Sequence, residues 1–143
     1  MPHKKTVMNT QAKPSKVVHI LLWIGQALLA AIFIMGGTTV LLQPIEAIAS
    51  QMSFVNHFPY LVVKLIGLCE IVGGIGLILP SLLKIKPILT PIAAGLLALV
   101  MLFAVIYHLT HNEAAGSGFP LALGVIAGLV SWGRLKVAPI PER

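Results

Sequence analysis

The chain has 143 residues, 57% of them hydrophobic and 10% charged, with a net charge of +6. Soluble domains carry about 25% charged residues, so this composition excludes an ordinary water-soluble globule and indicates a lipid bilayer as the solvent. Nucleic acid is not an expected partner, because the basic residues lie in three separate segments rather than on one face; the single cysteine, Cys69, excludes a Cys-x-x-Cys pair, an intrachain disulfide and a cysteine-rich metal site.

Residues 1–16 read as a basic cytoplasmic tail, polar and expected to be disordered. The apolar stretch 17–42 follows. It is longer than the roughly 7 to 15 residues of a signal-peptide core and has no small-x-small cleavage signal at its end, so it reads as a retained span. Gln26 lies about 13 Å into it at 1.5 Å per residue. Residues 43–60 form a connection without Lys or Arg.

The second span, 61–79, contains Glu70. A charged group near mid-bilayer costs roughly 2.5 to 3.5 kcal/mol on insertion scales and marks a site by default. Glu70 lies about 13 Å into the span, so a hydrogen bond with Gln26 is the simplest way to satisfy both. Lys64 sits six positions earlier, about 9 Å along the axis and about 120° round the helix; it is no within-helix ion pair and reads as an interfacial lysine. Gly73, Gly74 and Gly76 thin the same span and leave room for a ligand beside Glu70. Pro80 is expected to stop the helix.

Lys84 and Lys86 mark a short connection that makes spans two and three antiparallel neighbours. Thr90-Pro91 reads as an N-cap followed by proline at the first position of the third span, 88–109. His108, His111 and Glu113 at its far end are weak candidates for a metal site, without an HExxH pattern. Paired histidine ligands for haem are not evident, because His19 lies at one membrane face and His57, His108 and His111 at the other. The fourth span, 119–132, runs on toward Val137, with Arg134 and Lys136 at its end; residues 138–143 form a short tail. Ala27 and Ala31, Ala94 and Ala98, and Gly124 and Gly128 are small-xxx-small pairs suited to helix contacts. Lys and Arg are absent from 43–60 and 110–118, and the positive-inside rule then places both termini in the cytoplasm and the protein in the cell membrane.

The residues Gly67-Leu68-Cys69-Glu70-Ile71-Val72-Gly73-Gly74-Ile75-Gly76-Leu77-Ile78-Leu79-Pro80, then Leu89-Thr90-Pro91-Ile92-Ala93-Ala94, His108, Glu113 and Ser131-Trp132-Gly133-Arg134 resemble the DoxX-like family of small bacterial membrane proteins. The similarity covers about half of the chain strongly and all four spans in outline. It implies an all-α four-helix membrane bundle associated with quinone-linked redox systems, one relative being a subunit of a thiosulfate:quinone oxidoreductase. Glu70, Gly73, Gly74 and Pro80 match the span-two motif; His108 and Glu113 match the end of span three. No cofactor ligand set is evident in the chain itself.

Two expectations follow. In one, the protein is an accessory subunit of a redox complex, with a quinone or other apolar ligand near Gln26, Lys64, Glu70, Gly73, Gly74 and His108, and Glu70 carrying the proton. In the other, it is a membrane adaptor or scaffold whose Glu70 fixes helix register. A homo-oligomer is compatible with both. A transporter is less favoured, since four spans alone enclose little pathway.

Overall fold

A bilayer offers backbone groups no hydrogen-bonding solvent, so each apolar stretch closes its bonds internally as a helix. The computed structural model describes residues 12–143, which are 80% helical and contain no strand. The expected disorder of the N-terminal tail falls largely on residues 1–11, outside the described residues. Four helical segments are long and apolar enough to cross a membrane. In chain order they are α1 (Lys16–Leu42), α3 (Tyr60–Leu83), α4 (Leu89–Thr110) and the last segment (Ala114–Val137), formed by a 3-10 turn (Ala114–Ser117), α5 (Gly118–Trp132) and a π-helical turn (Gly133–Val137). Ser15 caps α1, its hydroxyl accepting from the Val17 amide.

Helix α1 packs chiefly on α3 and α4 on α5, while α3 and α4 join the two pairs. The α1–α3 crossing is close because glycines meet there. A Cβ on Gly67 would lie 2.9 Å from the Gly37 carbonyl oxygen, and one on Gly74 would lie 2.7 Å from the Ile34 side chain. Small residues allow such backbone approach, and dispersion then holds helices that lipid does not drive together. Ala94 is buried as expected, whereas Ala27 and Ala31 face outward, so that pair is not an internal contact. The core runs through Leu29, Phe33, Leu77, Leu97, Leu123 and Ala127.

Pro80 does not stop the second span: α3 continues to Leu83 and ends with Lys84 in the left-handed conformation, φ 55°. A proline inside a helix leaves the carbonyl four residues earlier without its donor, here that of Gly76. Thr90 supplies it: its hydroxyl donates to the Gly76 oxygen at 3.2 Å and accepts from the Ser81 hydroxyl at 2.7 Å. Thr90 is therefore inside α4 rather than its N-cap, the position taken by Ile88.

The connection between α1 and α3 is not a plain loop. It contains the short helix α2 (Ile45–Ala49) and a 3-10 turn (Ser53–Asn56), whose Ile48 and Val55 bury against Val40 and Val63. These turns form a lid over one end of the bundle. The opposite end, where α1 starts and the C-terminus lies, is called the terminal end below.

Candidate functional site

Helix α3 carries Glu70 inward at the level of Gly36 and Gly37 of α1, where a Cβ on Gly36 would lie 3.6 Å from a Glu70 carboxylate oxygen. Two apolar cavities of about 510 and 520 Å³ adjoin it. One opens between α3 and α4 along Ile66, Val100, Phe103 and Ile106; the other reaches inward under the lid, past Phe33, Met52, Phe119 and Leu123. Phe54, Glu70, Met101, Ala104 and His108 line both, so the two form one chamber at the lid end. Phe103 and Ile106 are exposed on the lipid-facing side, which makes the first cavity a lateral opening. Among the described residues nothing donates a hydrogen bond to Glu70.

The other expected ligand-binding residues fall elsewhere. Gln26 does not meet Glu70. Its amide nitrogen donates to the Leu77 carbonyl oxygen at 2.6 Å, and its oxygen accepts from Arg134 Nε at 2.5 Å. Leu77 lies about 10 Å beyond Glu70 along α3 at 1.5 Å per residue, so the two side chains occupy different depths. Lys64 Nζ donates to the carbonyls of Val40, Leu41 and Gln43 at 2.8, 3.2 and 2.9 Å. These belong to the end of α1, where carbonyls lack helical partners, and Lys64 thereby acts as a cap. Gly73 leaves no space for a ligand, because Leu97 fills it, with a Cβ 2.7 Å away; Ile34 does the same at Gly74.

His108 is in the chamber wall and is tied to the lid. Its Nδ1 lies 3.0 Å from Glu113 Oε2, which also accepts from the Ser53 hydroxyl at 2.7 Å. The Ser53 bond, with the His108 bond and the nearby imidazoles as further causes, holds the Glu113 carboxyl below its usual value despite partial desolvation. Ser53 was not foreseen, because nothing local in 43–60 reveals a partner sixty positions away. His111 stacks on Tyr107 with ring centroids 4.1 Å apart, and the Tyr107 hydroxyl is 2.7 Å from His57 Nδ1. No group of three or more His, Cys, Asp or Glu able to hold a metal occurs among the described residues.

At the terminal end Arg134 turns inward and is 3% exposed. The π-helical turn permits this, together with Gly133, at which a Cβ would meet Leu22 at 2.6 Å. The guanidinium lies over the Trp23 ring, 5.3 Å from its centroid.

The model of the DoxX-like family matches residues 24–130, well over half of the chain. No curated protein and no solved structure matches it. The chain belongs to the DoxX-like family.

Proposed function

We propose that this DoxX-like membrane protein holds an apolar ligand with a small polar head, of the quinone class, in the chamber beside Glu70, as an accessory subunit of a membrane redox complex. The observation that carries this reading is an acidic side chain that has no hydrogen-bond donor among the described residues and stands on the wall of an apolar chamber. A carboxyl inside a bilayer is costly unless something pairs with it, and an oxygen-bearing head would pair with it. Cavities of about 300 to 1,000 Å³ are the usual size for small-molecule sites, and the lateral opening between α3 and α4 suits a molecule arriving from lipid.

Reduction of a quinone to a quinol takes up two electrons and two protons. The electrons would come from the redox partner. Glu70 is positioned to exchange a proton with the head group, and His108, hydrogen-bonded to Glu113, links the chamber to the lid surface. The terminal end carries Lys84, Lys86, Lys136 and Arg143, and the positive-inside rule places it in the cytoplasm.

Mass spectrometry of molecules retained by protein purified in native-lipid particles tests the reading. The expected result is a quinone, or another apolar molecule with an oxygen-bearing head, enriched with wild type and absent with Glu70→Ala. Identical bulk lipid in both samples would overturn it and favour the adaptor role.

A further inference from the structure

Arg134 offers more donors than the chain accepts. Its Nε is bonded to Gln26 and its Nη1 is 3.1 Å from the Ala138 carbonyl oxygen, but Nη2 is buried without a partner among the described residues. The remaining contact, Nη1 to His19 Nδ1 at 3.1 Å, competes with a second one, since Trp23 Nε1 donates to His19 Nε2 at 3.1 Å. A neutral imidazole accepts at one nitrogen only, so His19 satisfies Trp23 or Arg134 and not both.

The guanidinium also lacks a counter-ion among the described residues. The chain has four acidic residues. Glu46 and Glu113 belong to the lid end and Glu70 to the chamber, and residues 1–11 contain none. Glu142 alone is near, in the wall of a cavity of about 210 Å³ that it shares with Arg134, Ser81, Pro91 and Ile140; it forms no ion pair with Arg134. The C-terminal tail closes over this cavity, held by the Arg143 amide donating to the Lys84 carbonyl oxygen at 2.9 Å.

We infer that this cavity is an anion site, in which Arg134 takes one phosphate or carboxylate group under the C-terminal tail. The free Nη2 carries two N–H donors on a guanidinium that keeps its charge, and charge-assisted bonds from such donors hold phosphate and carboxylate oxygens. The cavity has room for one small anion or one lipid headgroup, and Lys84, Lys86 and Lys136 at the same end of the bundle draw negative charge toward it. Glu142 is the like charge that the ligand displaces.

Trp23 reports on the site because it lies against the guanidinium; Trp132→Phe removes the second tryptophan. The full chain in neutral phosphatidylcholine nanodiscs is titrated with inorganic phosphate. A saturable change in Trp23 emission is expected, weakened about tenfold or more by Arg134→Lys, which keeps the charge but loses the planar Nη2 donors. Glu142→Gln is expected to tighten binding about threefold, as befits an exposed like charge. If phosphate is silent, but replacing phosphatidylcholine with phosphatidylglycerol shifts Trp23 emission in wild type and not in Arg134→Lys, the anion is a lipid headgroup. Silence toward both overturns the inference. So does a Glu142→Gln protein that loses thermal stability without gaining phosphate affinity, because Glu142 would then be the counter-ion itself.

Discussion

The two ends of the bundle treat a polar side chain in opposite ways. At the terminal end, Gln26 is fully buried and both ends of its amide are met within the protein, by the Leu77 carbonyl oxygen and by Arg134 Nε. At the lid end, Glu70 is only partly buried, has no donor among the described residues, and borders open space. A polar group whose bonds are met within the protein holds helices in place, whereas one left open beside a cavity is available to a ligand.

The largest effect that would sharpen this contrast is expected from Gln26→Leu. It leaves Arg134 Nε and the buried guanidinium with one acceptor fewer, and hydrogen bonds to charged groups contribute about 1.5 to 3 kcal/mol. Equilibrium unfolding in mild detergent should therefore show a loss of about 2 kcal/mol, with ligand retention at Glu70 unchanged in the folded fraction. Lys64→Met should cost less, about 1 kcal/mol, since the end of α1 can recruit interfacial water in place of the ammonium. It too should leave retention intact.

A smaller effect concerns the latch between the lid and α4. Because the Glu113 carboxyl is held below its ordinary value of 4.5 in the folded protein, its contribution is fully present above that value and is lost as pH falls through the depressed one. Hydrogen exchange at the lid amides should stay slow at neutral pH and quicken only in acid. Ser53→Ala removes the main cause of the depression and should move the onset upward, toward 4.5. Exchange that did not depend on pH in this range would separate the lid from Glu113.

The spans and their order were legible because length and hydropathy decide them, and the lipid requirement for closed backbone bonds leaves only helices. Glu70 was legible for the same reason: a charge in such a run stands out. The Gln26 pairing was not, because Gln26 and Glu70 were each counted about 13 Å inward from opposite faces, which brings them to one depth only in a span of about 26 Å; α1, with 27 residues, is longer, so that Gly37 meets Gly67 and Gln26 meets Leu77. Pro80 misled because its freed carbonyl is answered by Thr90, fourteen positions further along the chain. Arg134 was placed at the end of the fourth span with the other basic residues of that face, since nothing in the sequence marks the wide turn that brings it inward. The lid has helices too short to show a periodic pattern.

Glu70→Leu is the most direct test of the difference between the two ends, with thermal unfolding and retained small molecules measured on the same preparation. The account predicts a bundle at least as stable as wild type, because an apolar side chain replaces an unpartnered carboxyl, and a chamber emptied of its ligand. A loosened bundle that still retains the wild-type molecules would contradict it and return Glu70 to a role in holding helix register.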